Sequence, residues 1–389
     1  MRFALRQSTV FSMTTRRHVL ALLAAAPALS ACNSGPDPAA AWRDPGAGEG
    51  DPRRFALAHA ILAPNPHNTQ PWLVDLDETD GVTLYCDQAR RLSFTDPLDR
   101  QITIGCGAYL ELYRLGANHL GYTPHIEPFP QGEPLPRLDR RPVAHVTLGP
   151  RSTRTQRDLL YTHITARRTN RNPYDLHRVP RVEDLQLMAD AATMYPADVS
   201  WAVEPERVAH LRDIVWRAFD LEMHQRGALE ETFRWLRFGR ADAARKGDGL
   251  EVDAPGISLY HAIGFLDRAH MTDPNSDANK QALDQWKRKI DTAPTFAWLE
   301  TQENDDTPTG RLYAGMAYAR MNLAATGLGL AIHSWSQALQ EYEAMRDLRY
   351  ELRRFLQNGE NFPHMLVRVG YAAPADPAVR RGVNAIVRA

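Results

Sequence analysis

Two stretches, residues 101–121 and 310–330, share one layout, and that repetition limits the folds open to this chain more than any other feature. Each begins with small residues, runs on as an apolar helix and closes on Leu-Gly. In the first, Leu110, Leu112, Leu115 and Leu120 supply the apolar side and Gly121 ends the helix. Strand-like and helix-like segments follow a similar order around both, so the chain reads as a diverged duplication with a short first half and a longer second.

The periodicity predicts a helix over 53–62, stopped by Pro64, and strands over 72–76 and 82–86 that make a hairpin around the polar turn 77–81. Residues 143–148 read as a strand, 153–168 and 182–192 as helices, and 199–203 and 364–370 as strands. The extra length of the second half lies between 218 and 307. Its aromatic helical pieces, 233–238 and 260–266, are broken by Gly247, Gly249, Pro255 and Gly256. This reads either as a helical insertion packed on the core or as a lid over a pocket.

The amino terminus reads as an address. Residues 1–31 hold Arg2, Arg6, Arg16 and Arg17 and no acid. Arg16-Arg17 before an apolar run fits a twin-arginine export signal, and the run is shorter than the ~20 residues a membrane span needs. It closes on Leu29-Ser30-Ala31-Cys32, similar to a lipobox, so the only membrane attachment expected is a lipid on Cys32. Residues 32–51 are rich in Gly, Pro and Ala and read as a flexible tether, with the fold starting near Pro52. Beyond the signal the chain carries 42 basic and 47 acidic residues, which suggests no nucleic-acid groove. Cys86 and Cys106 are too few for a disulfide framework and read as buried thiols. Twin-arginine substrates are typically folded, often with a cofactor, before export.

Two places offer chemistry. Residues 63–72, APNPHNTQPW, form a turn whose prolines forbid a continuing helix, which leaves backbone donors and the amides of Asn68 and Gln70 free for a planar polar ligand. An ordinary helix-to-strand loop is the plain alternative. Arg167, Arg168, Thr169 and Arg171 form a basic cluster at the end of a predicted helix. Guanidinium forks and a hydroxyl suit a phosphate, although arginines at a helix end also complement its dipole. Arg380 and Arg381 form a second basic pair. There is no metal-ligand spacing among the histidines, no Walker loop, no dinucleotide fingerprint and no nucleophile elbow.

Together these stretches resemble the FMN-dependent nitroreductase family, and more closely its Acg-type branch of fused, twin-arginine-exported members. Arg167, Thr169 and Arg171 match the family motif that binds the flavin phosphate and ribityl chain. Pro64, Asn65, Pro66, Asn68, Gln70 and Trp72 match the turn that lies against the isoalloxazine ring. Arg381, with Arg380 beside it, matches the basic residue near the carboxyl terminus. Asn65 and Pro66 stand where the family has serines. The first half has the turn but only Arg53-Arg54-Phe55 where an arginine motif belongs; the second has the arginine motif but no such turn.

The resemblance implies an α+β fold, a nitroreductase-like three-layer αβα sandwich. It would be an intrachain pseudo-dimer of two unequal halves, 52–150 and 151–389, with a lid-like helical insertion at 218–307. The complementary elements occur once each, which implies a single FMN. The implied activity is reduction of nitroaromatic or quinone-like small molecules through the flavin, with no side chain marking itself as a general acid or base. The alternative is an FMN-sequestering protein with little turnover. Either would sit in the periplasm or be anchored as a lipoprotein.

Overall fold

The computed structural model describes residues 37–389 except 77–78, 155–156, 253–255, 263, 265, 303–304, 357–360 and 389. Expectations for the export signal and for Cys32 therefore fall outside the described residues. Residues 38–389 form one compact body.

In that body helix α1 (Pro52–Ala60) begins where Asp51 accepts the backbone N–H of Arg53 and Pro52 presets the first helical φ. Strands β1 (Trp72–Leu76) and β2 (Gly81–Cys86) form the expected hairpin, with Trp72 opposite Cys86. Helix α2 (Arg100–His119), β3 (His125–Pro128) and β4 (Pro142–Thr147) complete an antiparallel sheet of order β1-β2-β4-β3. The second half continues with α3 (Val182–Asp190), β5 (Ala197–Ala202), α4 (Pro205–Met223) and α5 (Arg226–Trp235). A small parallel pair follows, β6 (Leu236–Phe238) and β7 (Leu250–Val252), flanking α6 (Arg240–Lys246). The short helices α7 (Ile257–Ala262) and α8 (Arg268–Met271) lead to α9 (Asp277–Asp291) and β8 (Thr295–Thr301). Helix α10 (Pro308–Gly327), β9 (Ala331–Ser334), α11 (Arg346–Leu356) and β10 (Phe362–Gly370) close the second sheet, of order β5-β8-β10-β9.

The two sheets repeat one strand order, and α2 and α10 cross with their backbones in contact. A Cβ on Gly107 would lie 2.0 Å from the Leu312 carbonyl oxygen, and one on Gly315 would lie 2.0 Å from that of Ile104. Only glycine permits that approach. The helices span the space between the sheets. Leu312 and Met316 of α10 join Leu110 and Leu112 of α2 against Val74, Leu84 and Val146, while Ile104 of α2 packs with Leu299, Val367 and Tyr318. Outside the second sheet, Val208, Leu211 and Phe219 of α4, Ile290 of α9 and Leu352 of α11 cover Phe296, Trp298 and Leu366. The second sheet is thus sandwiched, and the α+β expectation holds.

Three expectations are corrected. Among the described residues of 153–168 no α-helix forms: Asp158 caps Leu160, β-branched Thr162, Ile164 and Thr165 crowd the following turn, and only a 3-10 turn forms at Leu159–His163. The stretch 218–307 is not all insertion, because α9 is a covering layer and β8 a central strand buried at every residue. Nor are residues 38–51 a loose tether. A 3-10 turn at Ala40–Trp42 buries Trp42, its indole N–H donates to the Ala378 carbonyl at 2.7 Å, and Arg54 ties Glu49 to the first helix at 3.0 Å.

Each sheet is also extended by chain from outside its own strands, and for the first sheet that chain comes from the second half. Thr169 bridges Ile332 of β9, with the Asn170 N–H on the Ile332 carbonyl at 2.9 Å. At the other end Val387 bridges Val74 of β1, with Val74 N–H to Ile386 at 2.9 Å and Arg388 N–H back to Val74 at 2.8 Å.

Candidate functional site

The turn before β1 is held in an uncommon backbone state. His67, Asn68 and Gln70 have φ of 49°, 52° and 52°, in the left-handed region where side chains other than glycine are strained. Surrounding contacts impose it. The Asn65 amide donates to the Ala63 carbonyl at 3.1 Å and its oxygen accepts the Gln70 N–H at 2.8 Å. Asn68 donates to the carbonyls of Gly249 and Val379, both at 3.1 Å, and accepts from Arg380 at 2.9 Å. Gln70 donates to Gly247 at 2.8 Å and accepts the Arg381 N–H at 2.8 Å.

The two amides are therefore not left free for a ligand. They clamp the β6–β7 segment and the carboxyl-terminal arm onto the turn. Pro64, Asn65, Pro66 and His67 are the half-buried residues of the turn, and His67 meets Thr232 of α5 at 3.1 Å.

The arginines come from two distant parts of the chain, residues 167–171 and 380–381. Arg167 is fully buried; one nitrogen donates to the Leu62 carbonyl at 2.9 Å, and its Nε and Nη1 have no partner. Arg168, half-buried, donates to the carbonyls of Thr165 and Arg167. Thr169 is fixed through its main chain to β9. Arg171 is exposed, yet desolvation by the surrounding walls is the leading cause that lowers its pKa. Arg380 reaches the Leu62 and Ala63 carbonyls at 3.1 and 3.2 Å and keeps an unpartnered Nε. Arg381 lies further out, on the Gln70 carbonyl at 3.3 Å and near Asp87 at 3.8 Å.

No carboxylate of the described residues forms an ion pair with Arg167, Arg168, Arg171 or Arg380. Burial, then the charge of Arg168 against it, pulls Arg167 down to about 10, and burial followed by Arg167 and Arg168 pulls Arg380 well down. Burial and Arg171 hold His67 at about 4, so its imidazole is neutral at physiological pH. His333 is lowered by burial and then by Arg368, Arg171 and Lys289. Buried like charges without a counter-charge are costly, and an anion with several acceptor oxygens relieves that cost.

The sequence motifs point to this place but leave out several residues beside it. Trp42 was assigned to a tether, His67 stood inside the turn without a stated role, and Lys289, His333 and Arg368 carried no local signal. His67 was legible as a polar ring in an otherwise committed turn. Among the described residues no cluster suited to a metal occurs, and Cys86 and Cys106 are free and buried as expected.

No family model matches the chain. It is 27% identical over 341 residues, 86% of its length and 90% of the relative's, to a protein named putative NAD(P)H nitroreductase Rv3131 from Mycobacterium tuberculosis strain ATCC 25618 / H37Rv. It is 36% identical over 124 residues to the putative NAD(P)H nitroreductase acg of the same strain, covering 35% of that protein. Among solved structures, it overlaps an FMN-bound nitroreductase from Desulfitobacterium hafniense, with 17% identity, 60% of this chain, all of that one and a TM-score of 0.35. The FMN- and NADPH-dependent nitroreductase NfnB from sphigopyxis sp. strain HMH gives 16% identity, 59% and 97% coverage and a TM-score of 0.36. The resemblance in sequence to the protein named putative NAD(P)H nitroreductase Rv3131 extends along most of the chain, and that to acg along 31% of it.

Proposed function

We propose that this chain is an FMN-binding oxidoreductase that reduces nitroaromatic or quinone-like acceptors, built as an intrachain pseudo-dimer with one flavin. One observation carries the reading: arginines from both ends of the second half meet, without a carboxylate, against the strained turn of the first half. The relatives' names, putative NAD(P)H nitroreductase, support the same reaction class.

The residues present fit the group. Arg171, with Arg167, Arg168 and Arg380 behind it, would hold the phosphate, and the main chain of the 64–69 turn would face the ring. FMN supplies hydride and electron transfer when bound. The protein supplies position and fixed positive charge, which favours negative charge building on a reduced ring.

Arginines of the first half are neutralised by carboxylates. Arg114 stands on α2 where Asn322 stands on α10, and it pairs with Glu111 at 2.7 Å and Asp158 at 3.1 Å. Arg320 pairs with the same two carboxylates. Arg53 and Arg54 are likewise paired, with Asp51 and Glu49. These pairs support one site for each chain.

Sequestration of FMN with little turnover is the second reading. It is favoured by the clamps from Asn68 to Gly249 and from Gln70 to Gly247, reinforced by Glu231 on the N–H groups of Phe94 and Thr95 at 3.0 and 2.9 Å. The twin-arginine route, a lipid on Cys32 and an envelope location complete the proposal on sequence grounds. Absorbance of the purified protein tests it first: a yellow protein releasing one FMN per chain is expected. A colourless protein that takes up no FMN refutes the reading, and two flavins per chain refute the single site. Bleaching by NAD(P)H and recovery with a quinone then separates turnover from sequestration.

A further inference from the structure

Trp42 sits where three guanidiniums meet. Its ring centroid is 5.5 Å from the Arg167 carbon, 4.6 Å from that of Arg168 and 4.9 Å from that of Arg380. Its indole N–H is fixed on the Ala378 carbonyl at 2.7 Å, two residues before Arg380. The ring comes from residues 38–51, a segment outside both repeated units, and Asp51 and Glu49 fasten that segment to α1. An indole face attracts cations through its quadrupole, most strongly when both are desolvated, as here. Arg167 Nε and Nη1 and Arg380 Nε remain unpartnered and buried, so the cluster is gathered by an aromatic face and carbonyls rather than by acids. That keeps its positive charge available to an anion.

We propose that Trp42 is a positioning residue for the phosphate end of the cofactor: the amino-terminal strap holds the arginines convergent, and releasing it lets the phosphate go. The inference rests on the FMN reading above. Dissociation of FMN and of riboflavin, which lacks the phosphate, is followed by recovery of flavin fluorescence in the full chain and in Trp42→Ala and Trp42→Phe. Thermal unfolding of each confirms the fold.

Trp42→Ala is expected to release FMN roughly tenfold faster or more, riboflavin release is expected to stay the same, and Trp42→Phe, which keeps a ring, is expected to recover most of the retention. Equal FMN release from wild type and Trp42→Ala overturns the proposal, and so does equal acceleration of riboflavin. Failure of the wild type to take up flavin defeats the functional reading instead. For that case inorganic phosphate is titrated against thermal unfolding: a smaller upward shift in Trp42→Ala than in wild type supports the role of the strap, and equal shifts in the two overturn it.

Discussion

Glu222 shows how a single buried group ties this fold to pH. It ends α4, is 7% exposed, accepts from Gln340 and leaves one carboxylate oxygen without a partner. Burial first, and the charge of Glu231 after the opposing Gln340 bond, raises its pKa to about 7. The native state therefore holds a proton that the unfolded chain has released above its ordinary value of 4.5. Stability from this group is complete below the unfolded value and is lost as pH rises through about 7. Glu222→Gln should leave stability unchanged at about pH 3.5, below the unfolded value, and raise it by about 1–3 kcal/mol at pH 8. Urea unfolding at both values checks this, and a gain of equal size at both would show that the effect is not protonic. At the same scale, the sequence displayed the arginines by motif but not the commitments of Asn68 and Gln70. Their donors are visible in APNPHNTQPW, while their acceptors, Gly247, Gly249 and Val379, lie between 177 and 311 residues away.

Among the elements, the crossing of α2 and α10 bears the tightest constraint. Gly107→Ala and Gly315→Ala each place a methyl against a backbone carbonyl that cannot rotate aside, so the helices must separate. Each is expected to cost about 3 kcal/mol or more, with similar values for the two because their contacts are reciprocal. Denaturant midpoints measure this, and a loss confined to one glycine would contradict the reciprocity. The repeated helices were legible because both carry an apolar side and a Leu-Gly close. Strand β8 was not: covered on both faces, Phe296 to Leu299 read as an apolar run without alternation, which periodicity does not separate from a helix. The 153–168 segment failed in the opposite way, its charged residues looking helical while its threonines favoured a turn and then an edge contact with β9.

The whole molecule is organised by the return of residues 379–388 of the second half to the first sheet, which no local pattern could display. Truncation after Tyr371 removes Arg380, Arg381 and the strand contact of Val387 together. The shortened chain is expected to lose FMN retention and to become protease-sensitive between residues 63 and 76; mapping of cleavage sites by mass spectrometry checks it, and an unchanged digest would show that the arm is dispensable. The Asp75–Arg388 pair that ends this arm joins residues 313 apart in sequence. During synthesis, then, the first sheet waits with an open β1 edge, and its Asn68 turn lacks Val379 and Arg380, until residues 379–388 have been made. An open edge is a template for pairing with other chains, so an interrupted product is marked by its own unfinished border. Closure of that edge arrives only with residues 379–388, so the first half completes its border with a segment made long after its own strands.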